Sequence, residues 1–145
     1  MIIISPYAQK LRNGALNPKN YPFWRELIAM VDEPIVQVGV EGEEQLVPDF
    51  RKNLPIKELR ALLHDCRAWI SCDSFLQHLG WDEGVKGIVL WAVSDPLIFG
   101  HPENVNLLKS RSSLVENQFL LWEYTPHNSE LFVRPETVIE HLEKL

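Results

Sequence analysis

The sequence predicts a single α/β domain in which a mostly parallel sheet lies between two layers of helices. Three observations lead to this fold class. The chain has 145 residues, the size of one ordinary domain. Short apolar runs alternate along it with segments of helical periodicity. The runs are almost continuously apolar, as is typical of parallel strands that are covered on both faces and joined by right-handed crossovers.

Four apolar runs are predicted as strands, and the helices between them each have one apolar face. The strands cover residues 2–5, 34–40, 68–72 and 87–92, and two further candidates cover residues 106–109 and 119–124. Apolar stripes predict helices over residues 21–31 and 56–66. Asn17-Pro18 marks the start of the first helix, because proline suits a first helical turn, and Pro135 opens a closing helix.

Charge and composition exclude several function classes. Fourteen Lys and Arg against twenty Asp and Glu give a net charge of −6, which disfavours general binding to a nucleic-acid backbone. No apolar run approaches the roughly 18 residues of a membrane span, and the N-terminus lacks a basic secretory leader. Cys66 and Cys72 are too few for a disulfide framework and are predicted as buried thiols. These features indicate a cytoplasmic protein.

Polar residues follow the predicted strands, at the edge where open parallel sheets bind their ligands. What these candidate residues have in common is that each one follows a predicted strand. They are Lys10 and Arg12 after the first strand, Glu41, Glu43 and Glu44 after the second, Asp73 and Ser74 after residues 68–72, and Ser94 and Asp95 after residues 87–92.

The turn at Asp73 is the most informative of these. Asp73 or Ser74 can cap a helix that runs to about Asp82, and a helix N-terminus favours an anion. Ser74 and His78 are four residues apart and share one face of that helix. A hydroxyl and an imidazole there would meet a phosphate or a sugar hydroxyl. The alternative is an ordinary N-cap followed by a half-buried histidine.

The other loops offer complementary charges. Lys10 and Arg12 form a close basic pair that could neutralise a diphosphate, or they are solvated loop charges. An acidic residue after the second strand of a nucleotide-binding sheet binds ribose hydroxyls, which is the role open to Glu43 or Glu44. The alternative for the glutamates is a solvent-facing helix start, where acidic residues suit the helix dipole.

Several motifs are absent from the sequence. It contains no Gly-x-Gly-x-x-Gly, no phosphate loop ending in Gly-Lys-Ser/Thr and no Gly-x-Ser-x-Gly. Its five histidines lack metal-ligand spacing with the carboxylates. We therefore expect neither a metal nor a cofactor.

The segment Trp69-Ile-Ser-Cys-Asp-Ser-Phe-Leu-Gln-His-Leu-Gly-Trp81 resembles glycosyltransferase family 9, the ADP-heptose:lipopolysaccharide heptosyltransferases. Those enzymes have a strand followed by Asp-Ser/Thr-Gly, two residues and His-Leu/Met-Ala. Their next strand leads to a Thr/Ser-Asp-Pro loop, which Ser94-Asp95-Pro96 resembles. Residues 23–28 and 36–39 are also similar, so that the likeness spans about residues 1–105 and lies in the donor-binding half.

The resemblance implies a Rossmann-like fold equivalent to one half of a GT-B glycosyltransferase, with residues 1–145 as a single nucleotide-sugar-binding domain. It implies that Asp73, Ser74 and His78 contact the sugar and diphosphate of the donor. Lys10 would face the phosphates, and Glu43 or Glu44 the nucleoside. Members of the family are metal-independent, inverting enzymes whose general base lies in the acceptor-binding domain.

Two departures from the family pattern shape the functional hypothesis. Phe75 replaces the glycine of the Asp-Ser-Gly turn, and a side chain there limits how closely a phosphate approaches the backbone. The acceptor domain has no counterpart in the sequence. The first hypothesis is a donor-binding domain completed by a partner chain or a homodimer. The alternative is a non-catalytic module that binds a nucleotide or a protein.

A third hypothesis comes from another enzyme class. Small nucleoside deoxyribosyltransferases are also short α/β chains with an aspartate-containing turn before a helix. They need a glutamate nucleophile on that helix, where this sequence has Gln77-His78. The sequence therefore disfavours this hypothesis.

Overall fold

The sheet has six strands, and the chain order along it reverses at one point. A computed structural model describes residues 1–119 and 124–145. The strand order is β3-β2-β1-β4-β5-β6, and every neighbouring pair is parallel. The strands are β1 (Ile2–Ser5), β2 (Ile35–Gly39), β3 (Phe50–Lys52), β4 (Ala68–Cys72), β5 (Gly87–Trp91) and β6 (Val105–Leu108). Because β1 pairs with both β2 and β4, the order reverses between β1 and β4.

Helices cover both faces of this sheet, so the predicted three-layer α/β fold is confirmed. They are α1 (Trp24–Met30), α2 (Ile56–Asp65), α3 (Phe75–Asp82), α4 (Pro96–Phe99) and α5 (Pro135–Leu142). Apolar side chains of α1 and α5 pack on one face, against Ile4 and Ile70 among others. Those of α2 and α3 pack on the other face, against Ile3 and Trp69.

The predicted strands are confirmed where the apolar runs are continuous. Residues 2–5 and 68–72 match β1 and β4, and β2, β5 and β6 lie within one residue of their predicted bounds. The three-residue edge strand β3 has the sequence Phe-Arg-Lys, too short and too polar to show a strand pattern. The candidate strand at residues 119–124 falls mainly on residues 120–123, which lie outside the described residues.

The predicted start of α1 is wrong. The helix begins at Trp24 rather than at Asn17-Pro18, because Asn17 closes a turn by accepting a hydrogen bond from the Lys19 amide at 3.0 Å. Pro22 has no N–H group to donate to a helical ladder. Residues 6–23 therefore form a long connection between β1 and α1 that lacks regular structure.

Two further observations concern the helices and the thiols. None of the helices in residues 1–119 and 124–145 is long and apolar enough to span a lipid bilayer. Cys72 is buried and Cys66 is partly buried, and both are free thiols. Burial raises the pKa of Cys66 to about 11 and that of Cys72 to about 12, so neither is activated as a nucleophile.

The indole of Trp69 sets the packing between β4, β5 and α3. It is fully buried, and its Nε1 donates to the Val85 carbonyl at 2.9 Å. A Cβ added at Gly80 or at Gly87 would overlap the indole ring. The close approach of α3 and β5 to Trp69 therefore requires glycine at both positions.

We expect Gly87→Ala to lower the free energy of unfolding by about 3 kcal/mol, because the added methyl group overpacks a rigid core. Gly14→Ala is the control, since a Cβ there meets nothing within 4 Å and only the positive φ of 74° is strained. The free energy of unfolding of Gly14→Ala should fall by about 1 kcal/mol. Urea unfolding measures both values. An equal loss in the two variants would contradict the packing described here.

Candidate functional site

A cleft of about 730 Å³ opens at the carboxyl ends of β1, β2 and β4, where the strand order reverses. The connections that leave β1 and β4 there run to opposite faces of the sheet, which leaves a crevice between them. The volume is in the range that holds a small molecule. The cleft is lined by the β1–α1 connection, the turn after β2, the start of α2 and the first turn of α3.

An ion pair lies in the cleft beside the end of β4. Asp73 directly follows that strand, and its Oδ2 is 2.9 Å from the Nζ of Lys19. Its other oxygen, Oδ1, accepts a hydrogen bond from Gln77 Nε2 at 2.6 Å. The side chains of Lys19 and Asp73 are only 17% and 10% exposed, so water screens their attraction weakly.

Asparagine side chains hold the β1–α1 connection in a fixed shape and so place Lys19. The Asn17 amide is buried and bridges the connection, because its Oδ1 accepts from the Lys19 amide and its Nδ2 donates to the Gln9 carbonyl at 2.8 Å. Asn20 Oδ1 accepts from the Ala8 amide at 2.8 Å. Lys19 therefore reaches the cleft on a braced segment rather than on a mobile loop.

The first turn of α3 places polar groups next to Asp73. Ser74 occupies the N-cap position without a capping hydrogen bond from its side chain. Its Oγ is buried and makes no hydrogen bond to a nitrogen or an oxygen among the described residues. The first amides of a helix have no partner within the helix. The side chain of Phe75, which is 55% exposed, lines the cleft beside them.

Glu43 and Lys10 form the opposite rim of the cleft. The Glu43 carboxylate accepts a hydrogen bond from the Val40 amide at 2.6 Å and packs against Gly39, where a Cβ would overlap it. Burial raises the pKa of Glu43, and the Val40 amide and the positive charge of Lys10 act in the opposite direction. Both side chains line the main cleft and an adjoining pocket of about 580 Å³.

Glu44 lies outside the main cleft, and Glu41 is exposed at its edge. Glu44 is ion-paired with Arg25 and accepts a hydrogen bond from the Tyr7 hydroxyl at 3.2 Å. Burial and the neighbouring Glu44 raise the pKa of Tyr7 to about 12. Glu44 lines only the adjoining pocket, and Glu41 pairs with Lys52 at 3.5 Å. Because these residues form a turn, the alternative prediction of a helix start is wrong.

One wall of the cleft is apolar, although it is open to solvent. Val40 and Ile56 are 56% and 54% exposed there, and Leu54, Leu59 and Leu76 lie beside them. Exposed aliphatic side chains that line a concave surface are typical of ligand pockets.

Two residues singled out in the sequence lie outside the cleft. Arg12 is exposed at the tip of the β1–α1 connection and lines neither pocket. His78 does not line the cleft either, because its Nδ1 is 2.8 Å from His101 Nε2 and the His101 ring stacks on Trp81. Burial and the neighbouring His101 lower the pKa of His78. Although His78 and Ser74 were predicted to share one face of α3, only Ser74 lines the cleft.

Ser94 and Asp95 are buried by the segment that follows β6. The Asp95 carboxylate caps α4 through the Leu97 amide at 2.9 Å and pairs with both terminal nitrogens of Arg111, at 3.1 and 2.7 Å. The Arg111 guanidinium lowers the pKa of Asp95. The Asp95 amide donates to Gln118 Oε1 at 2.8 Å. Asp95 therefore stabilises the fold at the end of β5, outside the cleft, and Ser94 is buried beside it.

Sequence reasoning missed Lys19 and Gln77, which hold the two oxygens of Asp73. Lys19 lies far along the chain from the end of β1, so inspecting the first residues after each strand does not reach it. The length of the β1–α1 connection was the available signal, because connections longer than about 12–15 residues without regular structure are usually functional. Within residues 1–119 and 124–145, no three His, Cys, Asp or Glu residues are grouped to hold a metal ion.

Known structures share this fold, although no protein-family model and no curated protein sequence matches the chain. Escherichia coli ADP-heptose lipopolysaccharide heptosyltransferase II is 18% identical, with a TM-score of 0.70 over 99% of this chain and 45% of its own. Escherichia coli heptosyltransferase WaaC, solved with ADP, is 16% identical, with a TM-score of 0.65 over 99% of this chain and 43% of its own.

A third neighbour is the iron-containing dodecameric glycosyltransferase TibC of enterotoxigenic Escherichia coli. It is 16% identical, with a TM-score of 0.62 over 92% of this chain and 36% of its own. WaaC with ADP-2-deoxy-2-fluoro heptose and TibC with ADP-D-β-D-heptose also match. The resemblance to heptosyltransferases is thus confirmed at the level of the fold. The chain spans less than half the length of these neighbours.

We expect Glu43→Gln to stabilise the protein at pH 7 by no more than about 1 kcal/mol. A carboxyl whose pKa is raised in the folded state supports folding below its ordinary value of 4.5 and loses that support as the pH rises. The gain should therefore vanish near pH 4. Glu44→Gln, at an exposed carboxylate paired with Arg25, should show no gain at pH 7. Urea unfolding from pH 4 to 8 measures both, and a Glu43→Gln gain that persists at pH 4 would exclude this cause.

Proposed function

We propose that residues 1–145 form a donor-binding domain of the GT-B glycosyltransferase type, which binds a nucleotide-diphospho-sugar in the cleft between β1 and β4. The observation that carries the proposal is the mostly buried Lys19–Asp73 pair at the point where the strand order reverses. The fold of this chain is shared by heptosyltransferases whose structures contain ADP or an ADP-heptose. ADP-sugars are therefore the first donors to test.

Lys19 is proposed as the main contact of the diphosphate. An ammonium group held by a carboxylate and a braced backbone is preorganised, so little conformational freedom is lost when an anion binds. Lys10 at the rim adds a second positive charge. Ser74, which lines the cleft next to the first amides of α3, is proposed as a further contact.

The sugar and the nucleoside are proposed to lie on either side of the diphosphate. Asp73 accepts hydrogen bonds from sugar hydroxyls, because Lys19 contacts one of its oxygens and Gln77 the other, and a carboxylate oxygen can accept two hydrogen bonds. Glu43 accepts from the ribose hydroxyls at the opposite rim. The aliphatic wall of Val40 and Ile56 covers one face of the base. Arg12, His78, Glu44, Ser94 and Asp95 do not line the main cleft, and the proposal assigns them no donor contact.

Sugar transfer is proposed to need a second domain, supplied by a partner chain or by a second copy of this one. Transfer requires a bound acceptor, a general base and the exclusion of water, which would otherwise hydrolyse the donor. The chain spans 45% of heptosyltransferase II and 43% of WaaC, which supports the need for a second domain. The positive charge that stabilises the leaving diphosphate would come from Lys19 and Lys10.

The first test is the affinity for ADP-heptose, measured by calorimetry. Lys19→Gln should weaken binding by about tenfold to a hundredfold, because it removes one charge-assisted contact to the diphosphate. Lys86→Gln is the matched control at an exposed lysine outside both pockets, and its affinity should equal that of the wild type.

Two outcomes would count against the proposed site. Equal affinities in Lys19→Gln and the wild type would exclude Lys19 as the phosphate contact. No thermal stabilisation by any ADP-, UDP-, GDP- or CDP-sugar would contradict donor binding by this domain. It would favour the alternative of a module that binds a protein.

Phe75 is expected to weaken donor binding, because its side chain lines the cleft beside the first amides of α3 and takes up space that a diphosphate there would need. Phe75→Gly should therefore tighten ADP-heptose binding several-fold by letting the diphosphate approach these amides. Phe75→Leu keeps a bulky side chain and should bind as the wild type does. Unchanged or weaker binding in Phe75→Gly would show that the ring does not obstruct the donor.

A further inference from the structure

Gln77 is a buried polar residue on α3, whose other buried side chains are apolar. It is fully buried, between the buried residues Leu76 and Leu79 on the same helix. Its Oε1 has no hydrogen-bond partner among the described residues. A buried carbonyl without a partner costs free energy. An apolar side chain of the same length would therefore suit this core better than glutamine does.

The other end of the Gln77 amide makes the contact that accounts for its presence. Nε2 donates to Asp73 Oδ1 at 2.6 Å, while Lys19 holds Oδ2 of the same carboxylate at 2.9 Å. The two partners come from different elements, α3 and the β1–α1 connection. Contacts on both oxygens fix the rotation of the carboxylate plane, which Lys19 alone would leave free.

The side-chain amides of two asparagines hold the backbone of Gln77 in place. Asn104 is buried, and its Nδ2 donates to the backbone carbonyl of Gln77 at 3.3 Å. The Asn104 carbonyl in turn accepts from Asn106 Nδ2 at 3.2 Å, and Asn106 Oδ1 accepts from Trp91 Nε1 at 2.9 Å. The turn of α3 that carries Gln77 is thereby tied to β5 and β6.

We propose that Gln77 is a positioning residue that orients the Asp73 carboxylate toward the hydroxyl groups of the donor sugar. This inference rests on the proposed function, because it takes Asp73 as the residue that contacts the sugar. Gln77 itself does not line the cleft. Gln77 affects binding only through Asp73, because it sets the direction in which the Asp73 carboxylate can accept hydrogen bonds from the sugar.

The test compares two glutamine-to-methionine variants of the full chain, with ADP-heptose as the probe. Gln77→Met should bind about tenfold more weakly than the wild type while unfolding at the same or a higher urea concentration. Gln118→Met is the matched control, because Gln118 bonds the Val93 and Val115 carbonyls and the Asp95 amide outside the cleft. It should lose stability and keep its affinity. Weak binding and low stability together in Gln77→Met would show a structural role and overturn the inference.

A third variant gives a readout that core packing alone would not produce. In Gln77→Glu, the introduced carboxyl can donate to Asp73 only when it is protonated, and it repels Asp73 when both are ionised. Its affinity relative to the wild type should therefore recover at pH 5 and be weakest at pH 8. A constant ratio across this range would contradict the inference.

The proposed function and this inference fail in different ways. If the wild type does not bind ADP-heptose or any other nucleotide sugar, the proposed function is wrong and the inference fails with it. If the wild type binds and Gln77→Met binds equally well, the inference alone is wrong.

Discussion

Lys19 and Asp73 can meet because β1 and β4 are neighbours at the point where the strand order reverses. The chain leaves β1 into a long braced connection toward α1, and it leaves β4 into α3 on the opposite face of the sheet. A crevice must remain between two segments that diverge in this way. The pair sits in that crevice, and the remaining cleft residues are arranged around it.

The pair is mostly buried, which makes it costly to form and sensitive to the loss of either partner. The free energy needed to remove two charges from water offsets much of their electrostatic attraction. The structure compensates by fixing both partners, with Asn17 bracing the backbone of Lys19 and Gln77 holding the second oxygen of Asp73. An anion that enters the cleft meets an ammonium group that is already in place.

The fold could be predicted from the sequence wherever burial on both sheet faces left a continuous apolar run, as in β1 and β4. The site could be predicted only in part. Asp73 and Asp95 both follow a buried strand, and the sequence predicts both as donor-binding candidates. The structure distinguishes them, because Arg111 and Gln118 cover Asp95 while Asp73 stays in the cleft. Contacts between residues so distant in the chain have no local sequence pattern.

The most direct measurement of the central claim is a titration of the ¹⁵N-labelled protein with ADP, followed through its backbone amide signals. A diphosphate bound between β1 and β4 should shift the signals of residues 17, 19 and 20, of residues 39–43 and of residues 73–76. The signals of residues 94–95 and 111–118 at the end of β5 should not move. Shifts confined to the end of β5, or no shifts at saturating ADP, would contradict a donor site at the reversal of the strand order.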